Sequence, residues 1–149
     1  MLARKGRDGA GRIRSNRPLP STGRSVVLAA TAAPERIRLS FEHCDHGGDF
    51  CLSRCDQRQV RQAVDCLRKL TSHTWVSAFS TGGRGVNSGG LGYEQHDRHR
   101  LTRPVPDEVP GDALIFSVRA SLQFRIYGYR AQGVGFILWF DPNHEIIPD

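Results

Sequence analysis

Three arginines and a histidine in the last third of the chain have the side chains that phosphate chemistry needs. Arg119, Arg125 and Arg130 carry planar guanidinium groups that grip a phosphate through paired N–H donors. His144 can give or take a proton near neutrality, because an ordinary imidazole titrates at about pH 6.5. Tyr127 and Tyr129 can stack on a splayed base or donate a hydrogen bond. Each has a plainer reading: a histidine after a turn as a surface or capping residue, Arg125 and Tyr127 as cross-strand pairs, Arg119 and Arg130 as solvated charges near strand ends.

Other groups compete for attention. His96, Arg98, His99 and Arg100 form a cationic run, HDRHR, that reads either as an RNA contact or as a solvated loop. Cys44, Cys51, Cys55 and Cys66 are separated by six, three and ten residues, with His43 and His46 nearby. Zinc modules use closer pairs such as CxxC, so these read as reduced cysteines in or near the first helix, with no metal and no cofactor expected. No local signature of a cysteine nucleophile accompanies them. Gly82 to Gly92 lacks the GxxxxGK[ST] order of a phosphate loop and reads as a flexible link.

The elements that must position these residues are legible in the patterning. Ile37 to Phe41 alternates apolar and polar residues, which predicts a short strand. Asp56 can cap a helix over 57–70, on which Val60, Ala63, Val64, Leu67 and Leu70 recur on one face. Thr71 or Ser72 can cap a second short helix carrying Trp75, Val76 and Phe79, stopped at Thr81-Gly82-Gly83, so the two helices form a hairpin. Glycines and prolines then predict a long loop over 82–111. Ala113–Arg119, Leu122–Arg130 and Val134–Phe140 are β-rich runs joined by short links, the second being Ala131-Gln132-Gly133, which predicts an antiparallel meander. In its middle strand Leu122, Phe124 and Ile126 face the helices, while Gln123, Arg125, Tyr127 and Tyr129 face a side available for chemistry. Asp141-Pro142-Asn143 predicts a turn, followed by a terminal strand over His144–Ile147.

A length of 149 residues and 38% apolar content fit one modest folded domain over 37–149. No run approaches the ~18 apolar residues of a membrane helix, so the chain is expected to be cytoplasmic and to have no membrane partner. The charge of +6 is uneven: residues 1–36 hold eight Lys or Arg against Asp8 and Glu35, leaving thirteen basic and thirteen acidic residues in the remainder. The Gly-, Arg-, Ser- and Pro-rich arm cannot offset the entropy of ordering it, which predicts disorder. It reads as a phosphate-attracting arm, as a solvated tail, or as the product of a start site placed too early.

The order strand, helix, helix, antiparallel strands resembles the RelE/ParE toxin superfamily of bacterial type II toxin–antitoxin systems. The segments that carry the resemblance are Phe116-Ser117-Val118-Arg119, Phe124-Arg125-Ile126-Tyr127-Gly128-Tyr129-Arg130, Phe136-Ile137-Leu138-Trp139-Phe140 and Asn143-His144-Glu145-Ile146. It covers about 37–147, with a loop at 82–111 longer than compact members need. It implies an α+β fold, a helical hairpin packed on a small antiparallel sheet. It further implies a metal-independent endoribonuclease that cleaves free or ribosome-bound mRNA by attack of the 2′-OH, held in check by a cognate antitoxin protein. His144, Arg119 and Arg125 would be catalytic, with Tyr127, Tyr129 and Arg130 binding substrate. The only lysines are Lys5 and Lys69, so a lysine on the sheet is not part of this site. The alternatives are a non-catalytic or gyrase-targeting protein of the same fold, and a basic nucleic-acid-binding module.

Overall fold

A computed structural model describes residues 34–80 and 90–148, all within a unit spanning Pro34–Asp149. The N-terminal arm up to Ala33, the glycine-rich stretch 81–89 and the proposed stop at Thr81-Gly82-Gly83 lie outside the described residues. The fold is α+β. Strands β1 (Arg38–Ser40), β2 (Glu94–His96), β3 (Leu114–Arg119), β4 (Arg125–Ala131) and β5 (Val134–Asp141) form one sheet in the order β1-β5-β4-β3-β2. Helices α1 (Gln57–Thr71) and α2 (Trp75–Ser80) lie between β1 and β2 in the chain.

Helix α1 starts where the sequence indicates. Asp56 accepts from the Gln59 backbone N–H at 2.8 Å, and the Gln59 side chain accepts from Asp56 N–H at 2.9 Å, a reciprocal box that satisfies two amides. Its buried face is Ala63, Cys66 and Leu70, with Leu67 packed at the edge; Val64, expected on that face, is exposed because the sheet contact is rotated toward Cys66. Helix α2 is capped by Thr74, whose hydroxyl accepts from Ser77 N–H at 3.1 Å. Thr71 and Ser72 instead donate to the Arg68 and Lys69 carbonyls at the end of α1. Trp75 inserts from α2 and donates its indole N–H to the Gly133 carbonyl at 2.8 Å, tying the helix to the β4–β5 hairpin.

The meander is present, with differences that have physical causes. The sheet is mixed rather than wholly antiparallel, because β1 runs parallel to β5. That arrangement is open to β1 because two helices and a long connection separate it from the meander. The expected loop 82–111 contains strand β2, antiparallel to β3, and buries Leu91, Tyr93 and Val109. The β4–β5 link is the two-residue turn Gln132-Gly133, both at positive φ (51° and 78°), which matches the strand twist. The expected strand over 144–147 is absent; that segment is irregular at 144–145 and bends at 146–147, after the turn at 142–143. Among the described residues no helix is long and apolar enough to cross a membrane.

Both faces of the sheet are covered. One packs Phe116, Val118, Ile126, Ile137 and Phe140 against α1 and α2. The other packs Ile115, Tyr127, Tyr129, Leu138 and Trp139 beneath Val109, Ile146 and Ile147, with Leu101 and Val105 at the margin. The face expected to be open is therefore largely a second core, and only one end of it reaches solvent.

Gly128 lies at the centre of β4, where a Cβ would come within 2.5 Å of the Phe136 carbonyl oxygen and 2.9 Å of the Phe116 ring. Gly128→Ala should therefore cost about 1–3 kcal/mol through overpacking, read as a lower urea midpoint with an unchanged slope.

Candidate functional site

Strand alternation and register place the candidate residues in rows across one face of the sheet. Arg119 on β3 lies opposite Arg125 on β4, which lies opposite Asp141 on β5. The next row is Glu94, Ser117, Tyr127 and Trp139, and the one after it begins with His96 opposite Ile115. Like charges directly across a strand pair are unfavourable; Arg119 faces Arg125 in this way, while the other cross-strand neighbour of Arg125 is the Asp141 carboxylate.

The open end of this face is a cleft of about 770 Å³. Arg100, Arg119, Arg125, His96, His144 and Tyr127 line it, with Glu94 as the acidic group on its wall. The three residues expected to be catalytic, His144, Arg119 and Arg125, are thus brought together. Arg125 is nearly buried, and its Nη1 donates to the Ser121 and Leu122 carbonyls, both at 3.0 Å. Arg119 is set by its backbone N–H, which donates to the Leu91 carbonyl at 2.7 Å. Its Nε is buried without a hydrogen-bond partner among the described residues. A buried guanidinium donor left without an acceptor is a local cost to the fold.

His144 reaches the cleft because Asp141 shapes the chain after β5. The Asp141 carboxylate is fully buried and accepts from the Glu145 and Ile146 backbone N–H groups, each at 2.9 Å. Thr102 donates its hydroxyl to the Ile146 carbonyl at 2.9 Å and secures the same segment from the other side. Between these anchors His144 adopts φ 57°, a left-handed conformation that costs a non-glycine residue on the order of 1–2 kcal/mol. Strain of this sort persists where the surroundings over-determine it.

The substrate-binding expectations fare differently. Tyr127 lines the cleft but is 1% exposed, so its ring is a wall rather than a stacking platform. Burial, and next the Asp141 carboxylate, push its phenol well above the usual range, so it stays protonated. Tyr129 is buried in the second core, stacked on Phe136 with ring centroids 4.8 Å apart, and does not line the cleft. Arg130 faces the helices, its guanidinium 4.8 Å over the Trp75 ring, which is a cation–π contact on the opposite side of the sheet. The two are removed from the cleft for different reasons: alternation sends Arg130 to the helix side, and the second core that includes residues of 101–113 covers Tyr129.

Sequence reasoning missed the role of His96 and Ser117. His96 Nε2 lies 2.7 Å from Ser117 Oγ, and its Nδ1 is buried without a partner among the described residues. Burial holds its pKa below the ordinary imidazole value; Arg100, His144 and Arg125 push the same way, while Glu94 opposes them. Strand β2 is Glu-Gln-His, all polar, so periodicity carried no strand signal there. Apolar Leu91 and Tyr93, both buried, were the available hint. Of the HDRHR run, Arg100 faces the cleft, while Arg98 donates to the Pro110 carbonyl and His99 is exposed.

The four cysteines are free thiols, and none lines the cleft. Burial pushes Cys44 up to about 11 and Cys66 up to about 12, so both are poor nucleophiles at neutral pH. Among the described residues no group of three or more His, Cys, Asp or Glu is placed to hold a metal ion.

Two outcomes follow from this geometry. Folding disfavours protonation of His96, so the unfolded chain binds the extra proton first. The stability tied to neutral His96 is present above about pH 6.5 and is lost as pH falls below it toward the lowered folded value. Thermal melts from pH 7.5 to 5.0 should show a smaller acid loss in His96→Gln than in the native chain. Asp141→Ala should lower stability by about 2–3 kcal/mol, and amide exchange at Glu145 and Ile146 should accelerate ahead of global unfolding.

No family model, curated protein or solved structure matches this chain.

Proposed function

We propose that this protein is an endoribonuclease of the RelE-like toxin kind, cleaving mRNA by side-chain acid–base chemistry and restrained in its host by a cognate antitoxin. The observation that carries this reading is the convergence of Arg119, Arg125 and His144, from three separate segments, on one cleft that also holds a second imidazole, His96. The segments that resemble the toxin superfamily occupy β3, β4, β5 and the turn beyond β5, and three of the four contribute to that cleft.

Cleavage without a metal needs a base for the 2′-OH proton, cations for the charged phosphorane and an acid for the leaving 5′-oxygen. His96, kept neutral by burial, offers its Nε2 to the Ser117 hydroxyl, and the 2′-OH proton would reach it through that hydroxyl. The 2′-oxygen attacks phosphorus, Arg119 and Arg125 balance the charge that builds on the phosphoryl oxygens, and His144 protonates the departing 5′-oxygen. The products are a 2′,3′-cyclic phosphate and a 5′-hydroxyl end. The 2′-OH requirement limits the reaction to RNA.

The test is induction in a bacterial host alongside purified protein acting on RNA, with transcript ends mapped. His144→Ala and Arg125→Ala, each checked for folding by circular dichroism, should lower cleavage by at least about 10²-fold, and 2′-deoxy substrate should resist. Growth arrest without new RNA ends would move the target elsewhere, to gyrase or another protein. Undiminished cleavage in both variants would remove these residues from the site.

A further inference from the structure

The cleft has a neighbour of different chemistry. A second groove, of about 530 Å³, runs between the start of α1 and the β3–β4 turn. Gln59, Gln62, Gln123 and Asn143 supply four carboxamides to it, and its charged groups, Asp56 and Arg58, are one of each sign. The cleft, in contrast, has three arginines and two histidines against Glu94. One site is thus strongly cationic and the other is formally neutral and rich in paired donors and acceptors.

The two adjoin. Leu122 lines both and stands 75% exposed as the ridge between them. The cleft's own Arg125 fixes that ridge through its bonds to the Ser121 and Leu122 carbonyls. Neighbouring residues divide between the sites on two separate turns: Asn143 lines the groove and His144 the cleft, while Gln123 lines the groove and Arg125 the cleft. The amide groove therefore begins at Leu122, beside the cleft that holds Arg119 and Arg125.

We propose that the amide groove holds the unpaired base of a nucleotide flanking the phosphate bound in the cleft, so that the protein selects single-stranded RNA by the identity of that base. A carboxamide offers one acceptor and two donors in a plane, the complement of a base edge, and carries no charge that would favour a phosphate instead. The Watson–Crick edges of bases are open to such contacts only in unpaired segments. Leu122 gives the apolar surface on which the intervening ribose or base rests. Gln59 Oε1 is engaged with Asp56 N–H, which leaves Gln62, Gln123 and Asn143 as the principal readers. The proposal rests on the reading of the cleft as an RNA-binding site, and the experiment separates the two.

Four 2′-O-methyl tetranucleotides, differing only in one internal base, are titrated against the full chain by fluorescence anisotropy. Matching unmodified RNAs are tested for cleavage, with the bases beside each cut counted. The native chain should bind the four with at least about a tenfold spread, and Gln62→Ala/Gln123→Ala/Asn143→Ala should level them. Gln123→Ala alone, on the exposed turn, serves if the triple variant does not fold, and should narrow the spread. Base preference in binding that the variants lose, without any cleavage, would keep the groove and overturn the nuclease reading. Cleavage with no base preference, or with one that the variants retain, would keep the nuclease and overturn the groove.

Discussion

The cleft side of the sheet depends on the Asp141 carboxylate. It lies at the end of β5, fully buried, opposite Arg125 in register, and it accepts two backbone N–H groups from the segment that follows. A buried carboxylate is tolerable only when its oxygens are satisfied, and here the partners that satisfy it are the turn that must carry His144 into the cleft. The same turn delivers Ile146 and Ile147 to the second core. One charged group thus couples the closing of a hydrophobic layer to the placement of a candidate acid.

The two faces of the sheet divide the labour. The helix side is an ordinary apolar core, with Trp75 spanning from α2 to the β4–β5 turn. The other side is apolar under residues 101–113 and polar beyond them, so the charged residues share one end. Arg103 sits at the cover, its guanidinium 4.6 Å over the Phe50 ring and 5.2 Å over Trp139. That stacking lets a cation lie on an aromatic surface and shields the second core.

Positive charge is concentrated at the cleft end of this face, next to the buried Asp141 carboxylate. Arg119 and Arg125 face one another across β3 and β4, and Arg100, from the segment after β2, lines the same cleft. In a partly enclosed, low-dielectric recess such a cluster attracts anions more strongly than the same residues on an open surface. Burial first, and then Arg100 and Arg125 of this cluster, favour the neutral form of His96, because each neighbouring cation disfavours another positive charge. The histidine and the arginines therefore form one electrostatic unit rather than a set of separate contacts.

The sequence by itself determined the local elements. The Asp56 cap, the helix after it, the three runs of the meander and the turn at Asp141-Pro142-Asn143 are all present, because capping and periodicity act over a few residues. It also nominated Arg119, Arg125 and His144, which do share a cleft. Tertiary structure decided the rest. Whether Tyr129 lies on an open or a covered face depends on residues 101–113, some twenty positions away in sequence. Whether Arg130 meets a phosphate or the Trp75 ring depends on which face the helices occupy. His96 joined the site only because an all-polar tripeptide with no periodic signature found an edge of β3 to pair with. Burial and cross-strand partnership are non-local quantities, so the sequence could propose the chemistry while the fold alone chose which residues would meet.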